Sequence, residues 1–171
     1  MEKRTIRTFV TATILVCLTG CGDGGGGAPA PTAMLVPLLA GAPDPGRNLA
    51  LAVSGNGRVV VGTSDSSAGL QAFRWVRGSA PQALGLLPDY TQESDANATN
   101  ADGTVVVGES MGADSSRAFI WTARKGIEPL GDLPASYIRS RATGVSADGS
   151  VVVGDVTPRS ALGEGNPVAF V

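Results

Sequence analysis

Residues 54–63 (SGNGRVVVGT), 100–109 (NADGTVVVGE) and 146–155 (SADGSVVVGD) repeat one pattern: a short polar turn, three valines and a glycine. Val59, Val105 and Val151 open the three tetrads, so the period is 46 residues both times. Other landmarks keep that period. Ala72-Phe73-Arg74-Trp75 recurs as Ala118-Phe119-Ile120-Trp121, Leu84-Gly85-Leu86-Leu87-Pro88 as Leu130-Gly131-Asp132-Leu133-Pro134, and Ser94-Asp95-Ala96 as Ser140-Arg141-Ala142. A fixed period of this length marks a chain built from stacked supersecondary units.

One unit can be derived strand by strand. Residues 96–100 alternate small residues and predict a first strand. Ala101-Asp102-Gly103 is a turn signal, because Asp and Gly accept turn geometry readily. The β-branched run 104–107 suits a strand buried on both faces. Residues 109–116 predict a polar loop, and 117–122 a third strand with Phe119 and Trp121 on one face. Residues 127–133 predict a fourth strand, and 134–139 a loop to the next unit. Four short antiparallel strands per 46 residues predict an all-β fold of blade-like repeats. Residues 34–43 align with a fourth strand, since Leu38 stands 46 places before Leu84. Ala169-Phe170 repeats the start of the third strand after a loop five residues longer. The expected domain, 34–171, is therefore about three blades with the last incomplete. It is a β-propeller that is partial, completed by self-association, or the remnant of a longer one.

The DG-VVVG, AF-W and LG-LP spacing resembles the HAF-type extracellular repeat family, over about residues 36–171. The resemblance implies a secreted or surface-associated bacterial repeat protein. The histidine that gives the family its name is replaced by Gln71, Arg117 and Val168, and the chain has no His.

The N-terminus predicts an address. Lys3, Arg4 and Arg7 form a basic n-region, and 9–18 is an apolar stretch too short to span a bilayer. Leu18-Thr19-Gly20-Cys21 resembles a bacterial lipobox. That implies a signal peptide over 1–20, cleavage before Cys21, and lipidation of Cys21 with a diacylglyceryl group and a further acyl chain such as palmitate. Multiple chains give lasting membrane attachment where one is marginal. Gly22 precedes Asp23, so the position after the cysteine carries no acid; this favours the outer over the inner membrane. Residues 21–33, rich in Gly and Pro, form a tether. Cys17 falls in the leader, which leaves the mature domain without disulfide or thiol chemistry.

Cleavage would leave ten Lys and Arg against fourteen Asp and Glu, a net charge of about −4. With no basic patch, nucleic acid is an unsuitable partner. Without His or a usable Cys, triads, imidazole ligands and thiolates are excluded, and the composition points away from an enzyme. No cofactor or metal is expected: Asp102, Asp148 and Asn56 supply one side chain per turn, far from the six to eight oxygens calcium takes. Phe73, Trp75, Phe119 and Trp121 are expected in the core between blades. Residues that break the repeat are the better binding candidates. These are Asp65, Ser66, Asp114, Ser115 and 159–166 in second-to-third-strand loops. Tyr90 and Tyr137 stand near one another in fourth-to-first-strand loops, where one rim of a propeller commonly binds. The expected function is a lipid-anchored surface binding or scaffold module in the bacterial cell envelope. Its partners would be the membrane, an envelope polysaccharide or protein, or another copy of itself. The enzymatic alternative is a carboxylate-dependent polysaccharide hydrolase or lyase.

Overall fold

The structure, a computed structural model, describes residues 15–17, 33–43, 46–160 and 163–171. Cys21, the rest of the leader and most of the tether lie outside the described residues. Fourteen β-strands account for the regular structure there, with no helix. They are β1 (Leu15–Cys17), β2 (Ala33–Leu35), β3 (Asn48–Val53), β4 (Val59–Ser66), β5 (Gly69–Val76), β6 (Gln82–Gly85) and β7 (Glu93–Thr99). They continue with β8 (Val105–Met111), β9 (Ser116–Thr122), β10 (Gly126–Pro129), β11 (Tyr137–Val145), β12 (Val152–Ser160), β13 (Gly163–Glu164) and β14 (Val168–Phe170).

The strands pair antiparallel in sequence order: β3-β4-β5-β6, then β7-β8-β9-β10, then β11-β12-β14. One parallel bridge, Arg139 to Ser116, joins the second group to the third. β1 pairs with β2 alone. The register repeats as well. Val60 faces Trp75 as Val106 faces Trp121, and Gly62 faces Phe73 as Gly108 faces Phe119 and Gly154 faces Phe170.

The glycine ending each VVVG tetrad has a steric cause. Each first strand carries a bulge, between Ala50 and Ala52, Ala96 and Ala98, and Ala142 and Gly144. The bulge drives a carbonyl oxygen toward the second strand. A Cβ on Gly62, Gly108 or Gly154 would collide with the carbonyl of Leu49, Asp95 or Arg141.

Three apolar layers fill the spaces between groups. Val36 and Leu39 cover Val60, Phe73 and Trp75. Val59, Val61, Ala72, Leu84 and Leu87 of the first group meet Ala96, Val106, Phe119 and Trp121 of the second. Val107 and Ala118 meet Ala142, Val152 and Phe170. The middle strands β4 and β8 thus bury two faces, as their valine runs predict, whereas Val151 and Val153 of the third tetrad are exposed. The four repeated aromatics are buried.

Several boundaries differ from expectation. The first strand begins three residues earlier, at Glu93, because the buried Ser94 hydroxyl takes part in the inter-group layer. The fourth strand stops at Pro129, since Gly131 adopts φ +61° and turns the chain away. The expected 109–116 loop is half strand, with only 112–115 outside it: Glu109 pairs with Ala118 and Ser110 with Arg117. Near the N-terminus, Val36 and Leu39 are buried and Leu38 only half-buried, so the fourth-strand contact is offset from the 46-residue alignment.

Candidate functional site

The repeated turn is built by its own side chains. Ser54, Asn100 and Ser146 each accept, on a side-chain oxygen, the N–H of the first valine at 3.0 Å. Asp102 Oδ1 accepts from the Thr104 N–H (3.0 Å) and hydroxyl (2.6 Å). Asp148 Oδ1 accepts the Ser150 N–H and hydroxyl and the Ser146 hydroxyl. Asn56 Oδ1 does the same with Arg58 N–H and Ser54. These bonds stabilise the charged carboxylate. They lower Asp102 and hold Asp148 at about 2, with the Ser146 hydroxyl the largest cause. In these turns positive φ falls on the glycines Gly57, Gly103 and Gly149, and among the described residues on no non-glycine residue. The acid is therefore there to accept hydrogen bonds. Among the described residues no group of acids is arranged to hold a metal ion.

The expected rim loops prove tighter than loops. Asp65 and Ser66 end β4, and only Ser67 and Ala68 separate them from β5. Asp65 accepts the Arg47 N–H, and the Ser66 hydroxyl donates to Gly69 O at 2.7 Å. Asp114 and Ser115 sit in a turn closed by Gly112 N–H to Ser115 O at 2.8 Å. Within the 159–166 segment Arg159 pairs with Glu164 and Ser160 with Gly163, antiparallel. Tyr137 opens β11 rather than lying in a loop, because its segment pairs with Pro158. The two tyrosines line different clefts. Tyr90 borders one of about 210 Å³ with Leu87 and Arg117, and Tyr137 a larger one of about 570 Å³. Cys21 lies outside the described residues.

The larger cleft has a definite origin. It opens between Leu130, Leu133 and Pro134 on one side and Val152 and Phe170 on the other. Across from Val60 and Val106 stand Trp75 and Trp121. In the β12–β14 pair Gly154 stands opposite Phe170, and both Val152 and Phe170 line the cleft.

A polar layer spans all three groups and was not legible from spacing. The Thr63 hydroxyl donates to Asp95 Oδ1. Asp95 lies across from Glu109, and Arg141 pairs with Asp155 at 3.1 Å. Burial pushes the Glu109 carboxyl up, opposed by the Ser116 hydroxyl and Arg141 and reinforced by Asp95 and Asp155. Acids one period apart, Glu109 and Asp155, thus influence one another across the group boundary. The signal was that Thr63, Glu109 and Asp155 all follow the tetrad glycine.

A second ladder was also missed. Buried serines staple each group to the next. The Ala72 N–H donates to Ser94 Oγ, and the Ala118 N–H to Ser140 Oγ, both at 2.9 Å. Ser94 and Ser140 appear in the sequence only as small residues one period apart. No protein-family model matches the chain, and no curated protein is significantly similar to it.

Proposed function

We propose that the chain is a lipid-anchored extracytoplasmic repeat protein of the bacterial envelope, acting as a surface binding or scaffold module with propeller-type blades. The carrying observation is the union of a lipobox-like Leu18-Thr19-Gly20-Cys21 and a Gly/Pro tether with three stacked 46-residue units. Membrane attachment at one end of a flexible linker presents a repeat domain at a distance from the bilayer. The blade reading is supported by a fanned arrangement. First strands β3, β7 and β11 lie against one another in turn, whereas fourth strands β6 and β10 barely meet. Such convergence at the inner strand is what units disposed around an axis require. The 570 Å³ cleft is the most suitable binding place, being concave, largely apolar and edged by Tyr137.

The test is metabolic labelling with palmitate. The wild-type chain takes up label and Cys21→Ala does not; equal labelling in both would overturn the anchor. A glycan array probed with the domain tests the binding role.

One observation favours a second reading, a carboxylate-dependent polysaccharide hydrolase or lyase. Burial raises the Glu109 carboxyl, and the neighbouring Asp95 and Asp155 raise it further, the kind of environment that suits a general acid. Polysaccharide cleavage that disappears in Glu109→Gln would establish it.

A further inference from the structure

Among the described residues, the faces at the two ends of the stack are complementary. We infer that a second copy of this chain docks head to tail, its first unit receiving the last unit of its neighbour.

The internal interfaces define the rule. The leading face of one unit offers the first and third valines of its tetrad and the alanine of its third strand. Val59, Val61 and Ala72 are all at most 3 % exposed in the first unit. The following unit covers them with its middle valine, its Phe and its Trp. On the last unit the same positions are Val151, Val153 and Ala169. Val151 is 46 % and Val153 42 % exposed, and Ala169 is exposed beside them. Burying such a row is favourable by about 25 cal/mol per Å².

The receiving face exists on the first unit. There Ala50, Val60, Phe73 and Trp75 form the layer that Ala96, Val106, Phe119 and Trp121 form in the second. Val36 and Leu39 cover its outer part, as Leu84 and Leu87 do over Trp121. They supply the fourth-strand portion of a preceding unit. Val53, across from Val60 on this face, is 49 % exposed. Its counterpart Val145 packs into the layer against the second unit.

A polar atom marks the contact independently. Asn48 stands one period before Ser94 and two before Ser140. Those serines accept the third-strand Ala N–H of the preceding unit. Ser94 also donates to the fourth-strand Gly85 O. Asn48 reproduces the second bond, its Nδ2 donating to Val36 O (2.9 Å) and Pro37 O (3.2 Å). Its Oδ1 is buried with no hydrogen-bond partner among the described residues. A buried acceptor left unpaired is costly. The donor the internal pattern requires is the N–H of Ala169, on the outer edge of β14. Ala169 pairs with Asp155 as Ala72 pairs with Thr63. Among the described residues no strand lies on that outer edge, whereas β6 and β10 flank β5 and β9.

A head-to-tail contact closes a ring when its rotation returns to the start, and otherwise propagates. Two copies of the three described units make six, within the roughly four to eight of closed propellers. The occupant is therefore one second copy, in a closed pair.

The turn tips provide the test. Asn56 N–H donates to Ala101 O (3.0 Å), and Ala101 N–H to Ala147 O (3.1 Å). A Cβ on Gly55 would lie 3.5 Å from Ala101 Cβ, within disulfide range. In the closed pair, Ala147 of one copy meets Gly55 of the other. The full chain carrying Gly55→Cys with Ala147→Cys should give, on mild oxidation in cells, a disulfide-linked dimer on non-reducing gels. Either single variant should stay monomeric, and Val153→Asp should abolish the cross-link. The internal pair Gly55→Cys with Ala101→Cys should close within one chain. If that pair closes and the 55/147 pair gives only monomer, the docking is wrong while the stacked-unit reading stands. If neither closes, both fall. A ladder of higher multiples would replace the closed pair by a filament and overturn it. Palmitate labelling is untouched by these variants, so loss of the anchor would be seen separately.

Discussion

Individual residues here are selected by what their neighbours' backbones do. Gly108 is not strained in φ; it is excluded from having a side chain because the bulged Asp95 carbonyl occupies that space. Gly126 is the opposite case, with φ +76° and nothing within 4 Å of a would-be Cβ. Gly108→Ala should therefore cost at least about 3 kcal/mol, the upper end for overpacking. Gly126→Ala should cost about 1–2 kcal/mol, the left-handed penalty alone. Urea unfolding of the two variants checks this, and equal losses would refute the steric account. The turn acids make a related point. Asp148 titrates near 2 because hydroxyls and an amide are aimed at it, so an acid in a repeated motif is here a scaffold.

At the scale of elements, the strands are short and depend on one another. β6 and β10 have four residues each. The pairing of β5 with β6 shifts between Ala72 and Phe73, and there the Ser94 hydroxyl takes the Ala72 N–H. One side chain thus completes a ladder in the unit before its own. Ser94→Ala leaves that amide without its partner and should cost about 1–3 kcal/mol. The Ala72 amide should also lose hydrogen-exchange protection before its β5 neighbours; unchanged protection would show that Ser94 is incidental. The boundaries that sequence reasoning missed share this cause. Glu109 and Ser110 look like loop because they are polar, yet Ser110 is buried, accepting Leu87 N–H (3.2 Å) and donating to Tyr90 O (2.9 Å). Polarity along one strand does not reveal a partner that sits a unit away.

Across the whole molecule, the units share a polar layer as well as apolar ones, and this links stability to pH. Glu109 is raised above its ordinary value of 4.5 because folding removes it from water. The folded chain then holds a proton that the unfolded chain has released. Stability falls as pH rises from 4.5 through the folded value. The melting temperature should decline as pH rises above 4.5 in the wild type, and Glu109→Gln should flatten the decline and be the more stable protein on its high-pH side. Thermal melts at several pH values decide it; parallel curves would place the burial cost elsewhere. The lowered carboxylates act in the other direction and at lower pH. Their contribution is present above 3.8 and, for Asp148, lost as pH falls through about 2.

Much of the architecture was written in the chain as periodicity. The VVVG tetrads, the Phe and Trp positions and the turn sequence required β-strands in repeated groups, because β-branched runs, period-two aromatics and Asn/Asp-Gly turns each have one inexpensive backbone solution. The lipobox-like N-terminus is likewise a purely sequential signal. What needed the tertiary structure is everything that crosses from one unit to the next. That includes the carbonyl that forbids a Cβ at Gly108, the serine staples, the polar layer around Glu109, the cleft lined by Val152 and Phe170 and the unpaired oxygen of Asn48. Those features join residues a full period apart, and their energies depend on distances that no local propensity contains.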